Sequence, residues 1–180
     1  LAAGREGDLF QLQAVSESGR RLIAEYESLA RVLADDHKLD RFVFLGSGHN
    51  YGLACEAMLK MKEMSLSSSE AFHFMECRHG PKSVVAPGTL IVGLMSDAAR
   101  AHEAAVLAEM RDLGASVLAL AESSDGLTVD HVVEFKSGLD ECARSVLALP
   151  PLQLMAYHRA MSKGLDPDRP TNLEAVVRLA

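Results

Sequence analysis

Short, almost unbroken apolar runs that alternate with stretches of helical spacing constrain this chain most. The firmest is Thr89 to Met95, TLIVGLM. A strand with one wet face would alternate apolar and polar residues; this one does not, so both its faces must be covered. Arg41 to Leu45 (RFVFL), stopped by Gly46-Ser47-Gly48, and Ser116 to Ala121 (SVLALA) read the same way. Ser67 to Phe72 and His131 to Phe135 are weaker strand candidates. Between them lie Gly52 to Met64, Ala98 to Leu113, Leu139 to Ala148 and Leu152 to Met161, all with helical spacing. Gly114 closes the second of these helices and Gly164 the last, while Pro150-Pro151 is read as a break between the final two. Strands that alternate with helices predict βαβ units, hence an α/β domain with about five parallel strands flanked by helices on both faces.

Another helix precedes the first strand. Leu12, Val15, Leu22, Tyr26, Leu29 and Leu33 form one apolar stripe that ends near Asp35-Asp36-His37. Residues 1–37 are therefore read as an N-terminal helix, a linker or dimer element, and 38–180 as the domain proper. Pro167 and Pro170 predict an extended tail from about residue 165 that lies on the domain. A chain of 180 residues can bury a core, and with no Trp that core must be filled by Ala, Leu, Val and Met. The net charge of −7 disfavours nucleic acid, which needs a basic face. No apolar run approaches the roughly 20 residues of a membrane span, and no secretory signal is visible. Cys55, Cys77 and Cys142 are far apart and odd in number, which fits free thiols in a reducing cytoplasm. The first residue is Leu1 rather than Met, which points to a longer precursor or parent chain.

Ligands of open parallel sheets gather at the carboxyl ends of the strands. The turn Gly46-Ser47-Gly48-His49-Asn50 is thus the first candidate for substrate binding, because glycines admit a ligand to the backbone and a helix amino terminus favours an anion. A tight strand-to-helix turn would look the same. A dinucleotide is the rival ligand, since Glu70 follows at about the 20-residue distance of the nucleotide fingerprint. The glycine spacing is one residue too long for it, and the next helix argues otherwise.

That helix reads LACEAMLKMKEM, and Glu56, Lys60 and Glu63 share one face at i, i+4, i+7 beside an apolar face of Leu53, Ala57, Met61 and Met64. Such a stripe can be an ordinary solvated ion pair, contributing a few tenths of a kcal/mol. Two carboxylates flanking a lysine can also carry a proton between neighbouring carbons, with one carboxylate as the base and the lysine holding its charge. His79, in Arg78-His79-Gly80-Pro81-Lys82, sits on a turn where a proton could be exchanged near neutral pH. His73 and His79 have no third ligand nearby, so no metal site is expected.

The segments FLGSGHNYGLACEAMLKMKE, EAFHFMECRHGPKS and PPLQLMAYHRAMSKGLDPDRPTNLEAVVRL resemble the SIS (sugar isomerase) family. The likeness is to the second SIS domain of glutamine–fructose-6-phosphate amidotransferases and to tagatose-6-phosphate ketose/aldose isomerase-like proteins, and it covers about Arg41 to Leu179. It implies an SIS-type three-layer sandwich and an enzyme that isomerises, or isomerises and deaminates, a hexose or hexosamine 6-phosphate in amino sugar metabolism. It further implies Glu63 as base, Lys60 as its partner, Glu56 as an acid on the same helix, and His79 as ring opener offered across a homodimer interface. No metal or organic cofactor is implied. Ala175 stands where the amidotransferases carry a sugar-contacting lysine, and the chain shows no glutamine-hydrolysing domain, both of which argue against a glutamine-dependent synthase. No good copy of the family's Ser/Thr-rich phosphate loop is evident, so the chain reads as the carboxyl-terminal half of a tandem enzyme whose other SIS domain is missing. The alternative is a phosphosugar sensor without chemistry.

Overall fold

The computed structural model describes residues 6–173, and side chains from Gln13 onward. Leu12, the first member of the predicted helical stripe, lies outside the described side chains. Five parallel strands, β1 (Arg41–Gly46), β2 (Ser68–His73), β3 (Thr89–Leu94), β4 (Ser116–Ala121) and β5 (His131–Glu134), form one sheet in the order β2-β1-β3-β4-β5. The apolar runs alternate faces residue by residue, as the pleat requires. Phe42, Phe44, Leu90, Val92, Leu118 and Leu120 point into one core, and Val43, Leu45, Ile91, Val117 and Ala119 into the other.

Helices α1 (Glu6–Asp35), α2 (His49–Ser65) and α6 (Leu149–Ser162) cover the first face. Helices α3 (Phe74–His79) and α4 (Arg100–Asp112) cover the second. The leading helix is part of this core, with Leu22, Leu33 and Ala34 buried against the sheet and α6. Its carboxyl end is held by Arg159 of α6, which donates to the carbonyls of Ala34 (2.8 Å), Asp36 (3.0 Å) and Leu39 (2.5 Å) and stacks over Phe42. Burial holds the Arg159 guanidinium below its ordinary pKa, against the pull of Asp36, Asp35 and Asp40.

Three expectations change. The predicted helix Leu139 to Ala148 is a single short turn, α5 (Glu141–Arg144), followed by a 3-10 turn at Ser145–Ala148. Arg144 folds under this segment and donates to the Leu139 carbonyl at 2.8 Å. The prolines do not break the chain; they occupy the first turn of α6, where a missing N–H costs nothing. Helix α2 also begins at His49, earlier than Gly52.

That early start explains Gly46. A Cβ there would lie 2.4 Å from the Asn50 carbonyl oxygen and 2.7 Å from the Tyr51 nitrogen, both backbone atoms that cannot turn aside. Gly46→Ala is therefore expected to lower stability by about 1–3 kcal/mol, the usual cost of overpacking. Urea titration checks this, and an unchanged midpoint would show that the strand-to-helix turn yields freely.

Candidate active site

Helix α2 is built on two faces. Asn50, Ala54, Ala57, Met61 and Ser65 are buried, with Leu53 and Met64 packed beside them, and Lys62 is exposed. On the flank left over, Glu56, Lys60 and Glu63 meet. Lys60 Nζ lies 3.6 Å from Glu56 Oε1 and 3.3 Å from Glu63 Oε2. Each of the three side chains is about one-third exposed, at 39%, 33% and 31%. Burial works to lower the Lys60 pKa, but its hydrogen bond to Glu63 and the charges of both carboxylates outweigh this and raise it. The lysine is thus fixed as a cation between two acids, with carboxylate oxygens still open to a ligand.

The carboxyl end of α2 is anchored beyond Glu63. Leu66 turns into the left-handed region at φ 50°, and Lys163 donates to the Ser65 carbonyl at 2.7 Å and to Ser67 Oγ at 3.0 Å. Ser65 Oγ donates to the Met61 carbonyl and sits 2.9 Å from Ser67 Oγ. A cation here also answers the negative end of the helix dipole. Burial, and then the charge of Arg159, lower the Lys163 pKa. Nothing in the local sequence marks Lys163 or Arg159, because their partners lie a hundred residues away.

The glycine turn stands at the other end of the same helix. At about 1.5 Å of rise per residue, Glu63 is roughly 20 Å from His49 along the axis. Gly48 takes φ 56° at the helix start, and Asn50 and Tyr51 donate back to the carbonyls of Ser47 and Gly48. Asn50, Met95, Glu141 and Arg144 line a shallow crevice here, with room for about one water molecule. Asn50 Nδ2 donates to the Met95 carbonyl at 3.4 Å, and His49 Nε2 lies 3.7 Å from Glu141 Oε1. Arg144 is buried and pairs with Asp97 and, at 3.6 Å, with Glu122. Its hydrogen bond holds the Asp97 carboxyl below the usual range. Three carboxylates, Asp97, Glu122 and Glu141, therefore surround one guanidinium and more than offset its charge.

His79 is exposed and is the last residue of α3, with a 3-10 turn at Pro81–Val84 following the Gly80 break; the expected loop is largely helical. It lies on the second face of the sheet, opposite α2. Phe74 and Cys77 seat α3 in the core. Gly93 of β3 makes room for Phe74 and for Leu107 of α4, since a Cβ there would come within 3.1 Å of the Phe74 ring and 2.9 Å of Leu107. Burial pushes the Cys77 thiol up to about 11, which keeps it protonated and unreactive. One chain thus brings Glu56, Lys60 and Glu63 together and leaves His79 and the Gly46–Asn50 turn apart from them. Ala175 lies outside the described residues.

Among the described residues, no helix is long and apolar enough to cross a membrane, and no group of three or more His, Cys, Asp or Glu could hold a metal ion. A family model described as SIS domain matches residues 37–160. A glutamine–fructose-6-phosphate aminotransferase (isomerizing) of Streptococcus mutans is 32% identical over 170 residues, covering 93% of this chain and 28% of that protein. Among solved structures, the C-terminal domain of glucosamine-fructose-6-phosphate aminotransferase from Francisella tularensis is 27% identical with a TM-score of 0.79, over 91% of this chain and 46% of that one. Glucosamine-6-phosphate deaminase from Thermotoga maritima is 31% identical with a TM-score of 0.67, over 86% of this chain and 46% of that one. The chain spans under a third of the length of the curated relatives it matches.

Proposed function

The chain belongs to the SIS domain family, and from that premise we propose that it is the proton-transfer half of an enzyme that isomerises, or isomerises and deaminates, a hexose or hexosamine 6-phosphate. The observation that carries this reading is Lys60 held between Glu56 and Glu63 on an accessible flank of α2. In the aldose–ketose direction, Glu63 takes the proton from C2 and returns it to C1. The hydroxyl proton moves from O2 to O1 through the enediol, so the sugar gains and loses nothing. Lys60, 3.3 Å from Glu63, sets a positive charge beside the carboxylate that takes the proton. A positioned base of this kind supplies about a hundred- to ten-thousand-fold in rate. The scheme calls on no metal or organic cofactor.

The ring must open first, and we assign that step to His79 of a second copy, since a histidine exposed on the far face of the sheet meets only surfaces outside its own domain. The sugar phosphate is assigned to another SIS domain, in the same polypeptide or a partner. In support, two cations beside the ends of α2 are already engaged: Arg144 by Asp97 and Glu122, Lys163 by Ser65 and Ser67. Relatives named as an isomerizing glutamine–fructose-6-phosphate aminotransferase and as a glucosamine-6-phosphate deaminase support the choice of substrate class.

A sensor would bind the sugar without touching its carbon-bound hydrogens, and this separates the two readings. The intact protein, incubated in heavy water with fructose 6-phosphate or glucosamine 6-phosphate, is expected to place deuterium at C1 or C2, detected by proton NMR. Binding of either sugar with no exchange at any pH between 6 and 9 would establish the sensor instead.

A further inference from the structure

We propose that Glu109 is a positioning residue for His79, holding the turn that carries the histidine by gripping the cations on either side of it. This rests on the role assigned to His79 above. Arg78 Nε lies 2.9 Å from Glu109 Oε2 and Lys82 Nζ lies 3.3 Å from Glu109 Oε1. The two cations flank His79 and Gly80-Pro81 in sequence, and both converge on one carboxylate of α4. Glu109 Oε2 is shut off from solvent and makes no aligned hydrogen bond, so its tie to Arg78 is one of charge, while Oε1 accepts a hydrogen bond from Lys82.

The grip has a mechanical reason. Helix α3 runs only from Phe74 to His79, too short to hold itself in water. Its inner side is fixed from below, where Phe74 and Cys77 are buried beside Leu107 and Met110 of α4. Its last two residues, Arg78 and His79, are exposed, and Gly80 breaks the helix directly after them. Glu109 sits one residue before Met110, so the helix that buries the inner side also supplies the anion that ties the exposed end. Half-exposed ion pairs contribute little to stability, about 0–1 kcal/mol. Their loss leaves the fold in place but frees the imidazole to wander, and a small misplacement of a catalytic group can cost up to about a hundredfold in rate.

The test compares Glu109→Gln, His79→Gln and the double variant in the intact protein, assayed for turnover of the ring-closed sugar phosphate and for thermal melting. Glu109→Gln is expected to lower kcat/KM about tenfold with melting nearly unchanged, Glu109→Asp to recover part of that loss, and the double variant to be no slower than His79→Gln alone. Arg78→Gln combined with Lys82→Gln, which removes the grip from the other side, is expected to match Glu109→Gln. A full-rate Glu109→Gln beside a slow His79→Gln overturns the positioning role alone, as do losses that multiply in the double variant. A full-rate His79→Gln overturns the assignment of His79 and the positioning role with it.

Discussion

Glu63→Gln is expected to turn over its sugar phosphate at least about a hundredfold more slowly than the parent protein, with the fold intact. The amide keeps the size and the hydrogen-bonding reach of the carboxylate but cannot accept the proton from carbon. Folding should hardly notice, because Glu63 is about one-third exposed and its partner Lys60 keeps a second acid in Glu56 at 3.6 Å. The heavy-water assay reads the same step directly: Glu63→Gln should bind the sugar and fail to exchange its C1 or C2 hydrogen. Glu56→Gln leaves the proposed base in place and is expected to be less severe. Parent-like turnover in Glu63→Gln would remove this carboxylate from the chemistry and leave only the scaffold assignment standing.

Arg159→Met is expected to have the largest effect on stability. The guanidinium satisfies three carbonyls where α1 ends and β1 begins, and it is itself only 5% exposed. A methionine fills much of the volume and donates nothing, so buried carbonyl oxygens lose their partners at about 1–3 kcal/mol each. Allowing water to reach some of them, the loss should be about 3 kcal/mol, or roughly 6–12 °C in melting temperature for a chain of this size. Arg159→Lys should fall between, because one ammonium cannot span all three oxygens. Calorimetry decides it, and a melting temperature within a degree or two of the parent would mean that solvent or a rearranged helix end replaces the arginine without cost.

How much of this could be read from sequence follows from how local each signal is. Ser116 to Ala121 was legible to the residue, since five apolar residues in a row after one serine, between two turns, have few other ways to fold. The Glu56, Lys60, Glu63 grouping was legible because helical spacing alone decides it. The segment Leu139 to Ala148 misled because its spacing fits a helix, while the backbone is taken up by Arg144 reaching under it to Leu139. The anchors Arg159 and Lys163 were invisible, as each serves carbonyls brought near only by the finished fold. The side of the sheet that His79 occupies was equally hidden, because order along the chain does not say on which face a short helix after an edge strand will lie.

The sheet that stands between α2 and α3 has a consequence for assembly. Under the proposed assignment every copy carries two half-sites that look in opposite directions. Stacked front to back, copies would always leave one half unmatched at each end and could grow without limit. A two-fold pair buries one and the same patch of both copies, so it closes the assembly and completes both sites only through the border that α2 and α3 share, the edge strand β2.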